Sequence, residues 1–167
     1  MASEIYRERV FGNFRQTPSA LRKSKKPSRQ MRREGNDPKH LAFVRKLFCV
    51  LCGSRVNIQA HHLKLGTGER GVGMKSTDRW AIPLCSAPGR RLDRCHAMIE
   101  DVASVYEEQV CLRHGLPDPK RLALDIFANT GNLKYCARTI LRHRTKWFPP
   151  DVMRDLREHY DLGSAGS

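Results

Sequence analysis

The sequence predicts an α+β fold in which a small strand-loop-strand-helix core is pinned by cysteine knuckles, between a basic N-terminal arm and a helical C-terminal extension. Three observations predict it. Two short runs, "VNIQAHH" and "WAIPL", have the length and apolar content of strands. Cys49, Cys52, Cys85 and Cys95 bracket those runs. After Cys95, apolar residues recur at helical spacing through most of the remaining chain.

Length and charge narrow the class further. The 167 residues, 40% of them hydrophobic, suffice for one modest core rather than two. A formal net charge of +14 favours a polyanionic partner such as nucleic acid, with an anionic membrane surface as the competing one. No stretch approaches the roughly 18 apolar residues of a membrane span, and "MASEIYRERVFG" lacks the apolar core of a secretory signal. These features predict no membrane partner and a cytoplasmic location, nuclear in a eukaryotic host. In a reducing compartment, clustered cysteines read as metal ligands rather than as a disulfide framework.

Four segments follow in order. Residues 1–37 form a basic arm expected to be disordered: "RQTPSALRKSKKPSRQMRREGNDP" is rich in Lys, Arg, Ser and Pro and has no apolar period. Up to His40 it carries eleven Lys and Arg against four acids, half the net charge, and suits phosphates in a salt-sensitive way. Residues 38–115 form the cysteine-pinned core. It opens with a helix in "DPKHLAFVRKLF", where Asp37 is placed to cap and Pro38 to occupy the first turn. The loop "KLGTGERGVGMKSTD" has four glycines and leaves the backbone free to approach a ligand, but lacks the ending of a phosphate loop. From Leu92, Ile99, Val102, Tyr106 and Val110 share one face of a helix that Gly115 stops. Residues 116–160 form the helical extension, with helices in "DPKRLALDIFANTG", "NLKYCARTILRHRTKW" and "PPDVMRDLREHY", and residues 161–167 are a flexible tail.

The cysteine pattern points to zinc. Cys49 and Cys52 form a C-x2-C in which Gly53 lets the backbone turn both sulfurs toward one ion. Cys85 and Cys95, with nine residues between them, supply the second pair and would close a tetrahedral structural Zn2+ site with bonds of about 2.3 Å. Such a clamp substitutes for core that a small domain lacks. Cys111 and Cys136 lie on apolar helical stretches and read as core residues.

The adjacent histidines are the strongest chemical signal. Neighbouring strand residues point to opposite faces, so His61 and His62 can divide metal binding and proton transfer between them. Imidazole suits both tasks because it is largely neutral at physiological pH. A third participant is expected from the helix after the second strand, where His96 and Glu100 share a face.

"CVLCG", "QAHHL", "DRWAIPLC" and "CHAMIED", in this order, resemble the HNH endonucleases, and most closely their prophage-associated branch. The resemblance covers roughly residues 38–120 and implies a ββα-metal fold, two strands and a helix around one divalent ion. It implies that His61 and His96 are metal ligands and that His62 is the general base of a DNA phosphodiester hydrolase. The ion would be Mg2+ or another divalent metal, countering charge on the scissile phosphate. Two positions depart from the family pattern. Trp80 stands near where the family has an Asn, with Asp78 as the replacement that orients the base or joins the ligands. Glu100 stands where a last His is usual, and a carboxylate also suits a hard cation. Arg90, Arg91 and Arg94 lie beside the helix start, where arginine forks would hold the DNA backbone. The alternative reading is a zinc-stabilised nucleic-acid-binding module without cleavage; a protein-binding adaptor comes third. Homodimerisation, which double-strand cutting would use, is left open by the sequence.

Overall fold

The computed structural model describes residues 35–64, 76–86 and 95–163. Most of the basic arm, the glycine-rich loop, Arg90, Arg91, Arg94 and the end of the tail lie outside the described residues.

Helix α1 (Pro38–Val44) starts as its sequence dictates: the Asp37 carboxylate accepts from the Lys39 and His40 amides, and Pro38 occupies the first turn. The chain then enters the knuckle. Gly53 has φ +79 and donates to the Cys49 carbonyl at 2.9 Å. A side chain there would meet Val152 Cγ1 at 2.5 Å, so both conformation and packing require glycine. Strand β1 (Ile58–His62) ends on the histidine pair and runs antiparallel to β2 (Ala81–Cys85), with His61 opposite Ile82 and His62 opposite Ala81. A 3-10 turn, Asp78–Trp80, delivers the chain into β2.

The two strands have different surroundings. β2 is buried along its whole length, as its apolar run requires, whereas β1 alternates and leaves Gln59 exposed. Pro83 has no amide to give to the ladder, yet its carbonyl accepts from Val50 at 3.0 Å and ties the knuckle to β2. After β2 come α2 (Cys95–Glu100), a 3-10 turn (Ser104–Tyr106), α3 (Glu107–Arg113), α4 (Pro119–Ala128), α5 (Leu133–Arg142) and α6 (Pro150–His159). Helix α4 packs on β2 and on the 3-10 turn before it. One apolar cluster joins Phe48, Ile82 and Leu84 to Ile99, Leu122, Ile126, Ile140 and Leu156, so the helical extension completes the core around the strands. Among the described residues no helix is long and apolar enough to cross a membrane.

One expectation needs correction. The helix expected to run from residue 92 to 115 is broken between Glu100 and Glu107, and Tyr106 is exposed rather than in the core. The cause is Lys64. Its ammonium donates to the Ile99 carbonyl at 3.1 Å and the Glu100 carbonyl at 2.8 Å, ending α2 where a longer helix would have used those acceptors itself. The chain resumes helically one face over, with Glu107 and Cys111 inward.

Candidate functional site

The four knuckle cysteines converge. Cys49 comes from the segment that follows α1, Cys52 from the turn after it, Cys85 from the last residue of β2 and Cys95 from the first of α2; their sulfurs all lie within 4.8 Å of one another. A tetrahedron with bonds of about 2.3 Å has edges near 3.8 Å, and the Cys52 and Cys85 sulfurs are 3.5 Å apart. The donor set fits a metal ion. Burial pushes the Cys49 thiol well above its ordinary range, and hydrogen bonds from the other three sulfurs push Cys95 up. A cation among the four removes that penalty by favouring thiolates. Arg144 sits close enough to feel the charge of Cys49, Cys52 and Cys95. Its guanidinium donates to the carbonyls of Val50 and, at 2.9 Å, His114, and lies 3.8 Å over the Phe148 ring. Arg144, in a stretch dense with basic residues, is thus turned inward.

A second cluster lies along α2, from His96 in its first turn to Glu100, its last residue. Ligand atoms of His61, His96 and Glu100 all lie within 4.8 Å of one another. The His61 and His96 rings meet edge to face with centroids 5.3 Å apart, and His61 Nδ1 is 3.6 Å from a Glu100 oxygen. Burial, then the neighbouring His61, hold the His96 pKa below the usual histidine value, which keeps that imidazole neutral with a lone pair to offer.

The partner that sequence reasoning missed is Glu107. Its carboxylate binds His61 Nε2 at 2.7 Å, in a contact where both side chains are only 2% exposed. Its other oxygen accepts from the Lys64 amide at 2.7 Å. Burial alone would raise this carboxyl, but the hydrogen bonds from His61 and Lys64 hold it below its ordinary value. With Nε2 engaged by the carboxylate as its N–H, the lone pair of a neutral His61 ring is on Nδ1, the nitrogen facing Glu100. This is the carboxylate-histidine arrangement that fixes tautomer and ring orientation in metal sites. The only sequence signal for Glu107 is its position four residues before the apolar Cys111 on one helical face.

His62 points the other way along β1. Its Nε2 lies 2.8 Å from Asp78 Oδ1, and its side chain is 21% exposed while that of Asp78 is 9% exposed. Asp78 is itself held: its Oδ2 accepts from the Asp37 amide at 2.6 Å, and its own amide donates to the Gly35 carbonyl at 2.9 Å. Gly35 has φ +92, and a side chain on it would strike Thr77 Cγ2 at 2.6 Å, so close passage of the chain here demands glycine. Trp80 fills a buried position beside this pair. His143 binds Asp125 and His159 binds Arg55, which leaves both outside either cluster.

Fold and site together define a mixed α/β protein whose described residues include an all-cysteine cluster and a histidine-carboxylate cluster, each of which could hold a metal ion. The chain belongs to the family described as protein of unknown function (DUF968), whose profile matches residues 18–114. That span contains both clusters and Glu107, and it ends before α4. No curated protein and no solved structure matches the chain.

Proposed function

We propose that this protein is a metal-dependent DNA endonuclease of the HNH type, hydrolysing phosphodiester bonds with His62 as general base. The observation that carries the reading is the division of labour at the end of β1. His62 is bound to a carboxylate on one side, while His61, on the opposite strand face, joins His96 and Glu100 in a metal-competent cluster. The order β1, β2, α2, with the histidine pair ending β1 and His96 in the first turn of α2, supports a ββα-metal core.

The residues supply a coherent chemistry. Asp78 accepts from His62 Nε2–H, so the neutral ring presents its lone pair at Nδ1. That nitrogen takes the proton of the water that attacks phosphorus, and Asp78 stabilises the imidazolium that forms. His61, His96 and Glu100 would hold the divalent ion, Mg2+ or another, with Glu107 fixing the His61 ring. When bound, such an ion supplies charge neutralisation to the phosphate and the departing 3′ oxygen. Two imidazoles and one carboxylate suit transition ions as well as Mg2+. Cys49, Cys52, Cys85 and Cys95 would hold Zn2+, a closed site with a mechanical role. The net charge of +14 supports DNA as the partner, with Arg90, Arg91 and Arg94 as proposed backbone contacts.

The test is nicking of supercoiled plasmid with Mg2+ or Mn2+ by the wild type and by His62→Ala. Nicking by the wild type alone supports the enzyme. Equal retention of DNA with no nicking by either supports the binding module and overturns the proposal.

A further inference from the structure

We infer that the C-terminal helices carry a separate site for single-stranded nucleic acid, in which an unpaired base stacks on Trp147 and arginines hold the flanking phosphates. A groove of about 520 Å³ lies between α5 and α6; Arg138, Arg142, Arg144, Arg157 and Trp147 line it together with Leu141 and Met153. No carboxylate is among the described residues that line it. The adjoining groove along α6 does contain Glu158 and Asp161, so the anion-compatible stretch has a defined limit.

Trp147 is 73% exposed although its neighbours are fixed. On one side Lys146 donates to the Arg113 carbonyl at 2.9 Å and its own carbonyl accepts from Arg144; on the other, Phe148 is buried. The indole is therefore held out in water by an anchored backbone, the pre-organised condition in which stacking costs little ordering. Next to it, the Arg142 guanidinium lies 5.6 Å over the ring of Tyr135, itself 41% exposed. Aromatic faces interleaved with arginines recognise unpaired bases joined by phosphates, whereas a duplex hides its base faces. Isolated exposed aromatics are ordinary on protein surfaces; what assigns a ligand here is the conjunction of exposed Trp147 with four arginines and the apolar Leu141 and Met153 in one groove, with Tyr135 stacked under Arg142 next to it. The site stands independently of cleavage, because none of its residues belongs to the clusters described above.

The chain contains two tryptophans, and Trp80 is only 8% exposed, so quenching of emission reports on Trp147. The experiment titrates full-length protein, without added divalent metal, with oligothymidylate and with a duplex of equal length. The expected result is quenching by oligothymidylate, abolished in Trp147→Ala along with at least about tenfold of the single-strand affinity. Trp147→Phe should keep most of that affinity. Duplex affinity should change less than twofold in either variant. Arg142→Gln with Arg157→Gln should flatten the salt dependence for single strands by roughly 0.7 in log-log slope for each phosphate no longer held. Unchanged thermal midpoints verify the fold of these surface variants. Equal single-strand affinity of wild type and Trp147→Ala would overturn the inference, as would an equal loss for duplex. So would polyglutamate or anionic vesicles shielding Trp147 from acrylamide as well as oligothymidylate does. Plasmid nicking by Trp147→Ala separates this site from the nuclease reading, since loss of one leaves the other measurable.

Discussion

Glu107 and His61 meet at 2.7 Å across 46 residues of sequence, both buried, and their contact joins α3 to the end of β1. Removing the carboxylate leaves a buried imidazole and the Lys64 amide without their acceptor. Glu107→Ala should therefore cost about 3 kcal/mol in urea unfolding. Glu107→Gln, which keeps an acceptor, should cost less. If the pair also orients a metal ligand, the Gln variant should weaken Mn2+ binding by roughly 10- to 100-fold in a calorimetric titration.

Asp78 reaches His62 with one oxygen and the Asp37 amide with the other. Asp78→Asn keeps a neutral acceptor at the same place but removes the negative charge beside His62. On the proposed mechanism, kcat for plasmid nicking falls about 100-fold while KM stays within a factor of two. A large rise in KM at constant kcat would show that Asp78 serves substrate binding instead.

Metal removal should separate the two clusters. Elemental analysis should give one zinc per chain, absent in Cys52→Ser. Cys136→Ala should keep it, because that thiol is buried elsewhere, 3.4 Å from the Asn129 carbonyl. Structural zinc contributes on the order of 10 kcal/mol in small domains, comparable to the whole stability of a typical fold. Strong chelators should accordingly collapse the urea midpoint rather than merely lower it.

Buried His40 gives a pH dependence with a definite sign. Its Nδ1 lies 2.7 Å from Thr130 Oγ1, and that hydroxyl donates onward to the Phe127 carbonyl at 2.8 Å, so His40 is the donor. Nε2 is buried with no hydrogen-bond partner among the described residues. Burial lowers its pKa, against the opposing pull of Asp37 and Asp78. The unfolded ring titrates near pH 6.5 or so, and below that the unfolded state binds more protons than the folded one. Stability is thus full above this pH and declines as pH falls through the lower folded value. Urea midpoints should drop between pH 7.5 and 5.0, and His40→Gln should remove part of that slope. His114, shifted downward by burial as well, contributes in the same direction.

What was legible in the sequence was local. The Asp37 cap, both strands and the three C-terminal helices are set by short patterns that neighbouring residues enforce. The two clusters were legible because they use metal-competent residue types at telling spacings: Cys49 and Cys52 form a C-x2-C, and His61 and His62 adjoin at the end of a strand. The missed features depend on contacts distant in sequence. Lys64 ends α2 by reaching 35 and 36 residues ahead, which no helical periodicity records. Glu107 looks like a solvated helical acid until His61 is placed beside it, and Arg144 looks like a surface cation until the carbonyls of Val50 and His114 surround it.

Gly35 and Asp37 are both hydrogen-bonded to Asp78, whose other carboxylate oxygen meets His62. The segment that opens α1 and the imidazole at the end of β1 therefore share one carboxylate, so a substitution that shifts either of them is felt by the other.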